Sequence, residues 1–484
     1  MSQARLVFRN TTVLAAARVI ERLSGLVLAL VVSRHLGASG LGVYATVIAY
    51  FGLISLAAES GSTNLIVREL SKDRSRTPSY LVHTSLMALG FSGVVMAIAW
   101  LVIPHLGYSA DMRHGLELIV LAVAPGTLNT IQEGVFIAHQ RVEFETLTTL
   151  VSSVALVATS LVFLKQGHGV VSLVAIFVII EYAVTAVYFV IISRFIARLS
   201  FTLSRALARE IVLEARAFVG SSLVAGLFAR PEIIILSLIA TEAQVGYYGG
   251  VIKIVDLFQF IPQVYMINVF PVLSRSFHTR DGRAQEIQDQ AMKYLLAVAL
   301  PIAAGLFFAS RQIVDTFYGD DFGNAVLLLR IMAFNVPLFC LHAVLWRVLA
   351  ARGDQALMLR VQLVTTSARL MGGTALISLL RAVGAALAVP ASLLLHVTLL
   401  ARSVRRDGTR TPVLRLGGRF AVAATGMGFA VFAMRNTLPL WGLVPVAAVV
   451  YVVLVAAVRA FTADELATLR AVLPRRLAGS GGSS

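Results

Sequence analysis

Long apolar runs alternate with short polar segments along almost the whole chain. A helix needs about 20 predominantly apolar residues to cross a hydrocarbon core of about 30 Å. Charged residues, glycine and proline separate the runs, and the pattern predicts fourteen transmembrane helices. The predicted spans are residues 11–33, 41–66, 79–103, 115–138, 144–164, 169–193, 214–240, 246–273, 288–314, 323–346, 354–380, 382–401, 412–434 and 438–458.

The composition agrees with an all-α polytopic membrane protein and excludes a soluble globular one. Hydrophobic residues make up 58% of the chain and charged residues 14%. Soluble domains average about 45–50% hydrophobic residues and about 25% charged residues. Cys340 is the single cysteine, so no intrachain disulfide can form.

The net charge of +16 is explained by its distribution between the two sides of the membrane. With the N-terminus in the cytoplasm, the inner segments and the inner ends of the adjoining spans hold 27 Lys and Arg residues, whereas the outer loops and the outer ends of the spans hold 6. Short cytoplasmic loops are enriched in Lys and Arg, so both termini are predicted to be cytoplasmic. The positive charge also favours anionic lipids, and no nucleic-acid partner is expected.

A ten-residue stretch occurs twice along the chain. Residues 41–50 read LGVYATVIAY and residues 245–254 read VGYYGGVIKI, so Gly42 matches Gly246 at an offset of 204. The copies lie in the second and eighth predicted spans. Because six spans are an even number, both copies have the same orientation, which indicates two parallel repeats around an axis along the membrane normal.

The repeat-bearing stretches carry a family resemblance. They read LGASGLGVYATVIAYFGLISLAAESGSTNLIVREL and TEAQVGYYGGVIKIVDLFQFIPQVYMINVFPVLSRSF, the second followed by IVDTFYGDDFGNAVLLLRIM. The second stretch has an acidic residue, the motif VGxY, an amphipathic helix and the motif FPxLSR, in that order. This pattern resembles that of the bacterial polysaccharide (O-antigen type) flippases. That family belongs to the multidrug/oligosaccharidyl-lipid/polysaccharide transporter superfamily. The resemblance extends over about residues 1–400.

The resemblance implies a fold and a domain organisation. Two six-helix lobes would flank a central cavity, followed by two C-terminal helices and a tail. The tail begins with Thr462-Ala-Asp-Glu465, the spacing of a helix capping box. The predicted domains are 1–200 (first lobe), 201–403 (second lobe), 404–461 (spans 13 and 14) and 462–484 (cytoplasmic tail).

The resemblance also implies an activity, partners and a location. The cargo would be an undecaprenyl-pyrophosphate-linked oligosaccharide, moved from the cytoplasmic to the outer leaflet by alternating access. Surface polysaccharide biosynthesis, such as that of lipopolysaccharide O-antigen or exopolysaccharide, is the implied role. The partners would be this substrate, membrane lipids and polysaccharide polymerase machinery, in the bacterial cytoplasmic membrane.

Cations inside the spans are candidates for binding the pyrophosphate, because an ionisable residue in a membrane normally faces a cavity or a partner. The candidates are Arg18, Arg22, Arg230 and Lys253. Arg18, Glu21 and Arg22 share one face of the first span. Two structural explanations compete: a self-neutralising Arg18–Glu21–Arg22 cluster, and an ion pair between Lys253 and Asp256.

Four acidic residues are candidates for coupling or gating: Glu21, Glu181, Glu232 and Asp256. Glu181 is a candidate H⁺ or Na⁺ site, and a salt bridge to the next span or to the other lobe is the structural alternative. Glu232 follows Pro231, which is expected to kink the seventh span. No cofactor and no metal site are expected. An H⁺ or Na⁺ gradient is the candidate energy source for transport.

Two other functions remain as alternatives to an oligosaccharide flippase. A lipid II flippase or a cation-coupled drug antiporter belongs to the same superfamily, and an antiporter would favour a cavity with carboxylates and few cations. A membrane glycan polymerase, ligase or glycosyltransferase would need a large outer loop or a soluble domain. The sequence shows neither, and no His, Cys or Asp cluster has metal-ligand spacing, so a transporter rather than an enzyme is predicted. The chain has no GxxxxGK[ST] phosphate loop, so ATP is not expected to be the direct energy source.

The combined variant Arg18→Ala and Arg22→Ala is expected to abolish flipping while expression and membrane insertion are retained. Arginine binds phosphate oxygens bidentately and stays protonated when it is desolvated. Export of surface glycan by a strain that carries only the double variant measures the effect. Normal export would contradict the assignment of these arginines to the cavity.

Overall fold

The computed structural model describes residues 3–59, 62–198, 203–214, 231–279, 282–405, 411–462 and 465. Helices dominate these residues, and no strand occurs among them. The helices are α1 (Gln3–Glu59), α2 (Ser62–Lys72), α3 (Thr77–Val102), α4 (Ala110–Ile119), α5 (Val123–Ala138), α6 (Val142–Lys165), α7 (Val170–Phe195), α8 (Pro231–Ile239), α9 (Glu242–Leu257), α10 (Phe260–Thr279), α11 (Ala284–Phe308), α12 (Ser310–Tyr318), α13 (Ala325–Met332), α14 (Asn335–Arg352), α15 (Gln355–Arg405), α16 (Val413–Met434) and α17 (Leu440–Ala457).

Twelve helical stretches within the described part of the chain are long and apolar enough to cross a membrane. Two details relate this number to the fourteen predicted spans. Val19–Leu56 is one stretch of 38 residues, but Gly37 inside it has φ 68° and ψ −167°. This left-handed φ, which glycine tolerates, separates the first two predicted spans. Most of the seventh, 214–240, lies outside the described residues, which resume at Pro231.

Contacts divide the chain into two compact units, each made of several sequence segments. The first unit comprises Met1–Phe260, Phe317–Met332 and Arg360–Leu395. The second comprises Ile261–Thr316, Ala333–Leu359 and His396–Ser484. The four domains drawn from the sequence remain a prediction.

The two copies of the sequence repeat pack directly against each other in the first unit. A Cβ atom added at Gly42 of α1 would lie 1.8 Å from the Glu242 carbonyl oxygen. One added at Gly246 of α9 would lie 1.9 Å from the Ala38 carbonyl oxygen. Positions 38 and 242 are also related by the offset of 204, so the contact is symmetric. Small residues let two helix backbones approach this closely in a membrane protein.

The segment between the two halves of the sequence is anchored to the rest of the first unit. Residues 205–214 of this segment are helical. Glu210 accepts hydrogen bonds from Arg76 at 3.3 Å and from the Tyr80 hydroxyl at 3.0 Å, and Glu214 pairs with Arg68. Ile211 is buried in the apolar cluster beneath. One face of this helix is therefore held by charge and by apolar packing.

The second unit is built on α11, which packs against α14 and α16. Near the C-terminal end of the second unit, the predicted capping box is confirmed. The Thr462 backbone N–H donates to a Glu465 carboxylate oxygen at 2.8 Å, and the Glu465 N–H donates to the Thr462 hydroxyl at 3.4 Å. Lys293 of α11 donates to both oxygens of Glu465 at 2.7 and 2.6 Å. This salt bridge anchors the start of the tail.

The variant Gly42→Ala is expected to destabilise the protein by about 1–3 kcal/mol, the usual effect of overpacking a tight contact. The matched control is Gly52→Ala in the same helix, since no atom lies within 4 Å of a Cβ added there. Alanine favours a helix over glycine by up to about 1 kcal/mol, so the control is expected to be neutral or stabilising. Thermal unfolding of the purified protein in detergent compares the two. Equal midpoints would show that the contact does not limit stability.

Candidate functional site

A cavity of about 450 Å³ within the first unit is lined by many polar side chains of the membrane-spanning segments. We call it the polar cavity. The carboxylates that line it come from α1, α5, α6 and α7, and the cation comes from α9. These residues are Glu21, Glu133, Glu145, Glu181 and Lys253. Hydroxyl and amide groups complete the lining and include those of Ser24, Asn129, Thr130, Thr149, Ser152 and Ser153.

The predicted polar face of the first span is directed toward α9. The Arg22 guanidinium donates to the backbone carbonyl of Asp256 at 2.5 Å. A Cβ added at Gly25 would lie 3.8 Å from Lys253 Nζ. Glu21, from the same segment, lines the polar cavity. Lys253 and Glu21 therefore lie at the polar cavity, and the hydrogen bond of Arg22 connects α1 to α9.

Two of the predicted cations cannot be placed. Arg230 and the side chain of Arg18 lie outside the described residues. Of the four candidate cations, the structure therefore describes the side chains of Arg22 and Lys253. In the described lining of the polar cavity, four carboxylates accompany one lysine, so this part of the cavity is acidic.

Glu181 is bound by neutral partners. Asn129 Nδ2 of α5 donates to Glu181 Oε2 at 2.8 Å. Thr185, one turn after Glu181, donates to Asn129 Oδ1 at 2.7 Å and so fixes the orientation of the amide. No ion pair to Glu181 is observed within the described ranges. A carboxylate held by an amide at a cavity wall is a suitable ligand for H⁺ or Na⁺.

Glu232 lies in an ion pair rather than in a cavity. Arg369 of α15 binds both of its carboxylate oxygens, with Nη2 to Oε2 at 2.8 Å. The side chain of Glu232 is 4% exposed and that of Arg369 is 24% exposed. Two parallel hydrogen bonds between a guanidinium and a carboxylate neutralise both groups inside the membrane. This contact connects the start of α8 to α15.

Asp256 lies near the end of α9, which terminates at Leu257. Its carboxylate accepts a hydrogen bond from Gln259 Nε2 at 2.6 Å, and its backbone carbonyl accepts one from Arg22. Asp256 is therefore placed where α9 meets the first span. The structure brings Glu21, Glu181 and Lys253 to one cavity, and Glu232 and Asp256 lie outside its lining.

Sequence reasoning missed the contribution of α6 to the polar cavity. Glu145, Thr149 and Ser152 are spaced at i, i+4 and i+7, which places them on one helix face. Each of them lines the cavity, and Glu145 is 8% exposed. A polar stripe on an otherwise apolar span is the signal by which they can be found.

Comparison with known proteins gives a family match and a fold match. The family model described as a polysaccharide biosynthesis protein matches residues 7–277. A relative named probable low-salt glycan biosynthesis flippase Agl15, from Haloferax volcanii, is 21% identical over 375 residues, which cover 76% of this chain and 77% of the relative.

Two solved structures share the fold. The lipid II flippase MurJ in an inward closed conformation matches with a TM-score of 0.75 and 16% identity, covering 91% of this chain and 97% of that chain. A multidrug resistance MATE family transporter of the MOP superfamily, in an inward-facing conformation, matches with a TM-score of 0.64 and 14% identity, covering 82% and 96%. The chain therefore has the all-α fold of these transporters.

The variant Arg369→Leu is expected to destabilise the protein by about 3–5 kcal/mol, because it leaves the Glu232 carboxylate buried without its charge partner. Adding Glu232→Leu is expected to restore most of this loss. The control is Arg311→Ala, which breaks the exposed pair with Asp315 and is expected to cost no more than about 1 kcal/mol. Thermal unfolding in detergent compares these variants with the unmodified protein and with the single variant Glu232→Leu. Additive losses in the double variant would contradict a coupled pair.

Proposed function

The chain belongs to the polysaccharide biosynthesis protein family, and we propose that it is a flippase for a lipid-linked oligosaccharide. The observation that carries the proposal is the polar cavity, whose lining residues, from Glu21 to Lys253, all fall within the segment that matches the family. The family predicted from the two repeat-bearing stretches is confirmed. The cargo, its carrier lipid and the direction of transport are part of the proposal.

The lining of the polar cavity suits the sugar portion of such a substrate. Sugar hydroxyls are both donors and acceptors, and buried hydroxyls need partners because an unpaired polar group costs about 1–3 kcal/mol. Carboxylates accept from them in charge-assisted hydrogen bonds, and amide and hydroxyl side chains donate and accept. Tyr44, Phe51 and Phe177 line the same cavity and offer ring faces to the apolar faces of a sugar.

The cations serve the anionic carrier group in this proposal. A pyrophosphate that leaves water needs compensating positive charge inside the membrane. Lys253 supplies an ammonium at the wall of the polar cavity. Arg22, in the first span, is hydrogen-bonded to α9, and its guanidinium has five N–H donors. Together with Arg18 and Arg230, these residues are proposed to bind the undecaprenyl-pyrophosphate group.

Glu181 is proposed as the site that couples transport to an H⁺ or Na⁺ gradient. Its carboxylate lies in the polar cavity, where substrate and ion can influence each other directly. The Asn129 amide orients one of its oxygens. Reorientation of the transporter would then depend on whether this carboxylate is neutralised, because a bare charge in a low dielectric is strongly unfavourable.

The proposed setting is the bacterial cytoplasmic membrane with both termini inside, where the substrate is assembled for surface polysaccharides such as O-antigen or exopolysaccharide. The asymmetric distribution of Lys and Arg supports this orientation. Membrane lipids and a polysaccharide polymerase that receives the product are the proposed partners. The protein acts as a transporter, and no step in this scheme requires a cofactor.

A second candidate function is a cation-coupled drug antiporter. The observation that favours it is the acidic character of the described cavity lining, with Glu21, Glu133, Glu145 and Glu181 against Lys253. Carboxylates in a low-dielectric cavity attract organic cations as well as sugars. The fold match to a multidrug transporter is compatible with this alternative.

Deletion of the gene is expected to leave a lipid-linked oligosaccharide on the cytoplasmic face of the membrane, while drug sensitivity stays unchanged. Labelling of intact cells and of inside-out vesicles with a glycan-reactive reagent locates the oligosaccharide. Increased sensitivity to cationic drugs without stranded oligosaccharide would favour the antiporter.

The variant Glu181→Gln is expected to lower transport at least tenfold and to remove its dependence on the ion gradient, because an amide cannot release or bind the coupling ion as a carboxylate does. The same carboxylate-to-amide change in Glu117→Gln, on α4 outside the cavity lining, is the control. Proteoliposomes with and without an imposed pH or Na⁺ gradient measure the effect. Gradient-dependent transport by Glu181→Gln at the normal rate would exclude Glu181 as the coupling site.

A further inference from the structure

A second cavity of about 450 Å³ lies in the first unit, and its lining is almost entirely aliphatic. We call it the apolar cavity. It is formed by Ala29 and by residues between Leu41 and Leu56 of α1, by α8 and α9, and by Leu370 of α15. Among the described residues that line it, only Tyr44 and Lys253 have side chains with polar atoms. The volume is within the range of about 300–1,000 Å³ that is typical of ligand pockets.

The apolar and polar cavities share three lining residues. Tyr44, Ile48 and Lys253 contribute to both. Lys253 therefore lies at the boundary between an aliphatic compartment and one rich in carboxylates, hydroxyls and amides. A ligand that extends across this boundary would meet apolar groups first, then a cation, then hydrogen-bonding groups.

This order of environments matches the order of chemical groups in one class of molecule. We propose that the apolar cavity binds the isoprene units of a polyprenyl carrier nearest to its phosphate, with the phosphate at Lys253 and the first sugars in the polar cavity. The inference rests on the proposed flippase function and adds the site of the lipid chain. The rest of the chain would remain in the bilayer.

Small residues create the space for the lipid chain. Ala45, Ala49 and Gly52 of α1 and Gly249 of α9 line the apolar cavity. Lipid tails are as apolar as leucine, so the gain from filling this space comes from van der Waals contacts rather than from the hydrophobic effect. A prenyl chain supplies those contacts along its whole length.

Charge distinguishes this occupant from a cationic drug. The Lys253 ammonium lies where the two cavities meet, which disfavours the cationic group of a drug at that point. An anionic group next to the apolar chain is instead attracted. The same argument admits a phospholipid, so the test includes one as a competitor.

The experiment uses the purified full-length protein in nanodiscs and a C15 prenyl diphosphate with a photoreactive diazirine at the far end of its chain. Mass spectrometry of cross-linked peptides locates the label. Labels within residues 45–56 and 231–235 are the expected result. Labelling confined to other segments, or reduced equally well by phosphatidylglycerol and by unlabelled prenyl diphosphate, would overturn the proposal.

A matched pair of glycine variants tests the apolar cavity itself. Gly52→Leu adds a side chain to the wall of this cavity, at a position where no atom lies within 4 Å of an added Cβ. It is expected to reduce labelling at least tenfold. Gly93→Leu places the same side chain at an exposed and equally open position of α3, and its labelling should equal that of the unmodified protein. Equal labelling of both variants would overturn the site.

Lys253 is tested with two probes. Lys253→Met is expected to reduce labelling by the prenyl diphosphate at least tenfold and to leave labelling by the corresponding uncharged prenyl alcohol within twofold of normal. Equal loss of both probes would show that Lys253 only maintains the cavity, which contradicts its role at the phosphate.

Export of surface glycan by the same variants separates this inference from the proposed function. If the unmodified gene restores export to a deletion strain and Gly52→Leu restores it equally well with normal labelling, the lipid site is wrong and the flippase remains. If the unmodified gene restores no export and the protein takes up no prenyl diphosphate, the proposed function itself is wrong.

Discussion

The contact between Gly42 and Gly246 is the constraint on which the arrangement of the first unit depends. Each glycine faces a backbone carbonyl of the other helix, so any side chain at either position would force α1 and α9 apart. The contact continues to Ala45 and Gly249, where an added Cβ would lie 3.0 Å from that of Ala45. Beyond it, the same two helices supply Tyr44, Ile48 and Lys253 to both cavities. The close approach of two backbones therefore fixes the walls of the candidate site.

The ionisable groups within the spans divide into those that stabilise the helix packing and those that face a cavity. Glu232 and Arg369 neutralise each other. Arg22 is bound to a carbonyl of α9 and is also proposed to bind the carrier pyrophosphate, so it belongs to both groups. Glu21, Glu181 and Lys253 line the polar cavity instead. An intramembrane charge is costly in either role, but only the second role exposes it to a substrate. This division separates residues whose loss should unfold the protein from those whose loss should stop transport.

Local and periodic features were predictable from the sequence, and long-range pairs were not. Apolar run length located the spans, and spacing located the capping box at Thr462 and Glu465. The repeat predicted two parallel halves, but not that its two copies pack against each other. The pairing of Glu232 with Arg369 joins residues 137 positions apart, and no local pattern specifies which helices become neighbours. The amide partner of Glu181 was missed for the same reason. An apolar cavity leaves no signal in an apolar chain, because cavity-lining and lipid-facing residues have the same composition.

We propose that the polar and apolar cavities together bind an oligosaccharide on a prenyl lipid while the protein moves it across the membrane. The most direct measurement is transport in proteoliposomes that contain the purified protein and a fluorescent, short-chain prenyl-pyrophosphate-linked oligosaccharide, with accessibility to an external glycan-oxidising reagent as the readout. The account predicts that the protein makes the inner pool of glycan accessible, and that an organic cation such as rhodamine 6G is neither transported nor competitive. Exchange of that cation for H⁺ or Na⁺, with no change in glycan accessibility, would contradict it.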